Sequence, residues 1–252
     1  MSDDPRAPLA STPLATTPLP ADVVGMLEGL TSTRAIRRYT REPVPPDALR
    51  AMLFAASRAP SGSNRQPYRF LVLTDGPNAR AAKALIAQGA QRAWGGKRVT
   101  DGYDEGSGAR DESPKARMAR TMQQYVDDFA DVPVLVLPAL VRYREPAPFE
   151  GASIFPASQN LLLAARALGY GGVLTGWHFS VESELKELLG VPEEVFLAAT
   201  ITIGRPAGHH GPVRRRPLAE LVYGESWEHA PEWAVDPPGT EHTAAGPPRP
   251  RT

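Results

Sequence analysis

Residues 152–177 read ASIFPASQNLLLAARALGYGGVLTGW, and the fold class turns on how that stretch is parsed. Between 152 and 168 the apolar residues Ile154, Phe155, Ala157, Leu161, Leu162, Leu163, Ala164, Ala165 and Leu168 fall on almost every side of a helical wheel. The spacing therefore predicts a helix buried on most faces, inside a core or against another subunit. Gly169 suits its C-terminal cap, and residues 171–176 read as a short glycine-rich strand or loop. A dinucleotide fingerprint with glycines at 169 and 171 needs a third at 174, where this chain has Leu174; the Rossmann reading fails there. Glycines following a core helix are still suited to close packing against a flat ring.

On either side the pattern alternates helices and strands. Residues 22–30 and 46–58 have helical periodicity, the second opened by Pro46 at a first helical position. Residues 69–74 (RFLVLT) form a strand ended by the turn chemistry of Asp75-Gly76-Pro77. Residues 77–92 and 115–130 read as helices, 133–141 as a buried strand, and 197–204 (LAATITIG) as a β-rich strand. Ser180 is placed to cap a helix ending at Gly190. Residues 95–114, rich in glycine and arginine, read as a long mobile loop of the kind that serves as a lid. The termini, 1–20 and 231–252, are rich in Pro, Ala, Thr and Gly without apolar period and are expected to be flexible tails around one domain at 21–230.

Composition narrows the function. The 252 residues carry 28 basic and 28 acidic side chains, so no global basic field draws nucleic acid or anionic membrane. The chain has no cysteine, which removes thiolate metal sites, iron–sulfur ligation and a cysteine nucleophile; redox chemistry needs a borrowed cofactor. No apolar run approaches the roughly 20 residues that span a bilayer, and the first residues lack the apolar core of a secretory signal, so the expected location is the cytoplasm. The histidines show no metal-ligand spacing; His178, beside Trp177, is the one placed to touch a site.

Three segments carry chemistry. TRAIRRY at 33–39 packs Arg34, Arg37 and Arg38 into five positions, and a second cluster, Arg214 to Arg216, lies near the other end of the domain. Guanidinium forks match phosphate oxygens, so the two converge on one phosphate or each is a solvated basic surface. APSGSNRQPY at 59–68 lets backbone approach a planar ligand, with Asn64 and Gln66 able to donate and accept towards ring heteroatoms, or is a plain turn. The third is GYGGVLTGW at 169–177.

Taken in order, RAIRRYTREPVP, RAPSGSNRQPYRFLVL, QNLLLAARALGYGG and GPVRRRPLAELV resemble the recurring blocks of the nitroreductase family, over about residues 22–225. The resemblance implies an α+β fold with a central mixed sheet surrounded by helices, in an intertwined homodimer that binds FMN at its interface. It implies a phosphate site at Arg34, Arg37 and Arg38 with Arg214 and Arg216. It implies a loop reaching the flavin from the other subunit at Pro60, Ser61, Gly62, Ser63 and Asn64, and a segment near the isoalloxazine ring at Leu174, Thr175 and Gly176. Thr33 and Ala35 stand where many members have a basic residue and a serine. The implied activity is ping-pong hydride transfer from NADH or NADPH through flavin N5 to a small acceptor such as a nitroaromatic or quinone, with no side chain acting as nucleophile. The same scaffold also implies reductive dehalogenation, flavin fragmentation or flavin storage as alternatives. Tyr103, Tyr125, Phe129 and the lid are candidates for substrate choice, although the spacing of Tyr125 and Phe129 suits core packing as well.

Overall fold

The structure, a computed structural model, describes residues 18–147, 149–211 and 213–243. The expected tail residues 1–17 and 244–252 lie outside the described residues. In chain order the elements are α1 (Met26–Ser32), α2 (Pro46–Ala56), β1 (Tyr68–Leu73), α3 (Pro77–Thr100), α4 (Pro114–Asp127), β2 (Val134–Val141), α5 (Gly151–Ala167), β3 (Gly171–Thr175), α6 (Glu182–Leu189), β4 (Val195–Leu197) and β5 (Thr200–Gly204).

The strands form one sheet in the order β1-β2-β5-β3, with β4 also paired to β2. Every ladder among the described residues is antiparallel, where a mixed sheet was expected. Strand alternation sorts the core into two layers. Leu135, Leu137 and Ala139 of β2 face Ile86, Tyr125, Phe129 and Leu185 on one side. Val134 and Val136, with Ile201 and Ile203 of β5, face Met52, Ala56, Leu161 and Ala165 of α2 and α5 on the other. Burial on both faces is why β2 reads as an unbroken apolar run.

The segment 197–204 does not form a single strand. Ala139 pairs with Leu197 and Val136 with Ile201, so Leu137 and Pro138 oppose Ala198, Ala199 and Thr200, which is a β-bulge. Pro138 is the cause: it has no N–H to give a central ladder, and its carbonyl instead accepts from Ala198 at 2.8 Å. His178 staples the bulge. Its Nε2–H donates to the Leu197 carbonyl at 2.8 Å and its Nδ1 accepts from the Thr200 hydroxyl at 2.9 Å. Ser180 consequently lies in a short turn, Trp177–Val181, rather than capping α6.

The expected 95–114 loop is shorter than its composition suggests. The helix α3 runs through Gly95 and Gly96 to Thr100, because Trp94 and Arg98 both anchor to Gln123 of α4, at 3.0 and 3.2 Å. What remains, 101–113, is cross-braced by Arg98 on Asp104 (2.8 Å) and by Tyr103, whose ring packs at a tilt 5.1 Å from that of Trp94. A close crossing holds α3 to the sheet. A Cβ at Gly89 would lie 2.4 Å from the Trp177 carbonyl, so no larger residue fits. At the C-terminus, residues 231–243 pack onto the 214–218 segment instead of trailing free. The Asp236 carboxylate accepts from the Leu218 amide at 3.0 Å, Thr243 donates to the Arg215 carbonyl at 3.0 Å, and Ala234 is buried.

Candidate functional site

The segment 33–40 runs beside β3 and then across the end of β5. Ile36 and Tyr39 anchor it. The Ile36 amide donates to the Gly172 carbonyl at 3.0 Å, and the Thr40 amide to the Arg205 carbonyl at 2.9 Å. The Tyr39 hydroxyl donates to the Ile36 carbonyl at 2.5 Å and meets the Thr202 hydroxyl at 2.9 Å, which is also 2.7 Å from the Tyr125 hydroxyl. Burial pushes both phenols well above their ordinary pKa, so they stay neutral and serve as structural donors. With Ile36 and Tyr39 turned inward, the arginines between them turn out.

Arg34 and Arg37 share a cavity of about 500 Å³ with Arg214 and Arg215. An adjoining cavity of about 480 Å³ adds Arg38, Arg117 and His209 to Arg34, Arg37 and Arg214. The two sequence clusters therefore converge, with one correction: Arg216 turns away. Its guanidinium is held by Glu220, four residues on, at 2.7 Å. Arg215, which sequence reasoning left out, takes its place. Arg117 was missed as well, since it sits on α4, far away in sequence. Arg214 is paired with Glu241 from the C-terminal segment at 2.6 Å. The Nε of Arg37 is buried without a hydrogen-bond partner among the described residues, a costly arrangement for a charged group that a bound anion would relieve. Behind them His210 packs near Arg34 and Arg166, and burial together with those charges lowers its pKa.

The edge strand β3 supplies a second surface. Because the Gly172 carbonyl faces out towards Ile36, the alternation of an antiparallel strand turns the main-chain groups of Leu174 to the same open edge. Leu174 is 41 % exposed, Gly176 is exposed and Thr175 is half-buried, its hydroxyl 3.5 Å from the Thr200 carbonyl. From Gly172 to Gly176 the strand advances about 13 Å, a span that suits a ligand with a phosphate at one end and a planar ring at the other. The arginines and this edge together fit FMN.

The loop at 60–66 is built for an unusual backbone. Ser63, Asn64 and Gln66 have φ of 52°, 51° and 50°, left-handed conformations that cost non-glycine residues of order 1 kcal/mol or more each. The Ser61 hydroxyl accepts from the Gln66 amide at 2.9 Å, the Ser153 hydroxyl from the Gly62 amide at 3.2 Å, and Gln66 donates to the Asn64 side-chain oxygen at 3.1 Å. Ser61 is thus committed to shaping the loop, while Pro60, Gly62, Ser63 and Asn64 are exposed. This loop precedes Tyr68, which pairs with Leu140 at the far end of β2, whereas the arginines lie beyond Gly204 and Val134 at the near end. Length of β2 and width of the sheet put the two about 25 Å apart. One subunit does not bring them together.

His178 is fully buried in the bulge, and burial lowers its pKa; it is structural. Tyr125 and Phe129 are buried and pack within 5.0 and 5.4 Å of Trp177 in the core.

Comparison with known proteins gives the family. The family model described as nitroreductase family matches residues 30–205. An NADH dehydrogenase of Thermus thermophilus is 27 % identical over 208 residues, covering 75 % of this chain and 90 % of the relative. An iodotyrosine deiodinase of Thermotoga neapolitana is 28 % identical over 174 residues, 69 % of this chain and 84 % of the relative. A nitroreductase-type protein of Desulfovibrio desulfuricans, solved in complex with FMN, is 29 % identical with a TM-score of 0.58, covering 80 % of this chain and 97 % of the other. With its arginine-lined cavities, open strand edge and a family match over most of its length, this chain belongs to the nitroreductase family.

Proposed function

We propose that this member of the nitroreductase family, an FMN-dependent oxidoreductase, takes hydride from NADH or NADPH and passes electrons to a small acceptor such as a nitroaromatic or quinone. The observation that carries the reading is the convergence of Arg34, Arg37 and Arg215 on one cavity beyond the open β3 edge, with the Arg37 Nε buried and unpartnered among the described residues. FMN supplies the redox chemistry when bound, accepting hydride and giving it up. The chain supplies position and charge. Arg34, Arg37 and Arg215 hold the phosphate; the Leu174 main chain presents a donor and an acceptor to the ring; the core leaves no room for solvent behind Gly172.

The same reading makes the protein a homodimer, with residues 60–64 of one subunit completing the site of the other. Two features support this. The site halves lie at opposite corners of the sheet, and the outer face of α5 meets α1 in an apolar groove of about 400 Å³ lined by Met26, Leu30 and Leu163. Met26 and Leu27 beside it are 82 % and 78 % exposed, which is expensive unless another surface covers them. Among the described residues no helix is long and apolar enough to cross a membrane; the cytoplasm is the location this reading carries.

The test is an absorption spectrum of the purified protein followed by anaerobic titration with NADH and NADPH, then re-oxidation by a nitroaromatic, a quinone or iodotyrosine. Bleaching of a flavin band and its recovery with the first two acceptors is expected. A protein that takes up no FMN ends the proposal, and recovery with iodotyrosine alone replaces the reductase with a dehalogenase.

A further inference from the structure

The second arginine-lined cavity holds more positive charge than one flavin phosphate explains. The cavity with Arg215 already provides four guanidinium groups, Arg34, Arg37, Arg214 and Arg215, enough to surround a dianion. The adjoining one continues past them to Arg38 and Arg117, with the Thr121 hydroxyl and His209 on its wall. Several arginines elsewhere are held by carboxylates, as Arg98 by Asp104 at 2.8 Å and Arg205 by Glu42 at 2.7 Å. Among the described residues neither Arg38 nor Arg117 has such a partner; Arg117 donates to the main-chain oxygen of Glu112. Asp128 and Asp131 line the neighbouring cavity with Arg38 but make no ion pair with it among the described residues. Pro114 at the start of α4 also borders the cavity, so the positive end of that helix adds to the field. Apart from Arg214, which Glu241 neutralises, these guanidinium groups are gathered without a carboxylate partner among the described residues and repel one another, and an anion between them removes the cost.

We propose that Arg38 and Arg117 form a second phosphate site that receives the 2′-phosphate of NADPH, so that this enzyme selects NADPH over NADH. The inference rests on the flavin reading, because the nicotinamide must reach a ring lying along β3 while the other end of the dinucleotide lies against α4. A terminal phosphomonoester is the group that distinguishes the two pyridine nucleotides, and a bidentate guanidinium contact to it discriminates strongly.

The probes are 2′,5′-ADP and 5′-AMP, titrated by calorimetry into the FMN-loaded protein. Tighter binding of 2′,5′-ADP by at least about tenfold is expected, as one charge-assisted contact supplies about 10- to 150-fold. Arg117→Gln should bring the ratio towards one while the protein keeps its flavin, as read from absorbance. Equal binding of the two probes to the unaltered protein overturns the proposal, and so does an Arg117→Gln protein that keeps the full preference. Loss of flavin in that variant would also overturn it, by placing Arg117 in the flavin phosphate site. A chain that takes up no flavin overturns this proposal together with the flavin reading on which it rests, whereas equal binding of the probes to a flavin-loaded chain overturns this proposal alone.

Discussion

Replacing Arg37 with methionine separates binding from folding, because the side chain contributes to the two with opposite sign. In the flavin-free chain its Nε is buried with no partner, and an unsatisfied buried donor costs about 1–3 kcal/mol. Methionine keeps the apolar stem and removes the donor, so the flavin-free variant should unfold at the same temperature or a few degrees higher. With FMN bound, the guanidinium makes a charge-assisted contact worth about 1.5–3 kcal/mol, so the variant should bind FMN about 10- to 150-fold more weakly. Linkage turns this into a melting experiment. At free FMN near 100 times the wild-type Kd, FMN stabilises the wild type by about 2.7 kcal/mol, whereas a variant 100-fold weaker keeps only about 0.4 kcal/mol. At about 2–4 °C per kcal/mol for a chain of this size, the FMN-induced shift falls from about 5–11 °C to about 1–2 °C. A variant that melts several degrees lower without flavin, yet keeps the full shift with it, would refute the assignment of Arg37 to the phosphate.

The remaining predictions follow from other contacts. Arg216→Gln should leave FMN affinity within about twofold, because that guanidinium is committed to Glu220, while Glu241→Gln should tighten it by about two- to fivefold by freeing Arg214 from an exposed pair worth at most about 1 kcal/mol; quenching of flavin fluorescence measures both. Burial lowers the pKa of His178 and of His210, so below about pH 6.5 the unfolded chain binds protons that the folded chain refuses. Stability should be full above that pH and fall as pH drops through 6.5 towards the depressed values, by up to about 1.4 kcal/mol per pH unit for each group; the fall should be shallower in His178→Gln, as read from melting between pH 7.5 and 5.5. Lys83 donates to the carbonyls of Thr74 at 2.5 Å and Val132 at 2.6 Å, tying α3 to the ends of β1 and β2. Lys83→Met should therefore lower stability by about 1–3 kcal/mol, visible as a drop in melting temperature of about 2–12 °C.

Elements whose pattern is local were legible before the structure. The helix expected at 46–58 is Pro46–Ala56, and the strand expected at 133–141 is Val134–Val141. What was illegible depends on partners distant in sequence. Gly95 and Gly96 look like loop residues, and only the anchoring of Trp94 and Arg98 to Gln123 keeps them helical. The break in 197–204 is imposed by Pro138 across the sheet, and the helix expected at 22–30 is displaced to Met26–Ser32. In the site, the structure brings Arg34, Arg37 and Arg214 to one cavity and places Arg38 in the adjoining one. The exchange of Arg216 for Arg215 had a local signal, since Glu220 stands at the i,i+4 spacing that claims a guanidinium. Arg117 had none, because a lone arginine on a helix acquires meaning only when the helix is docked. The loop at 60–64 could be identified as unusual, but not its distance from the arginines, which is a property of the sheet.

That distance makes the central claim measurable. Native mass spectrometry of the FMN-loaded protein, with flavin counted in the same spectrum, reads subunit number and cofactor content together. Two chains carrying two FMN, with flavin absent from any monomer peak, is the predicted result. A monomer that holds one FMN would contradict a site completed by the loop of a second subunit.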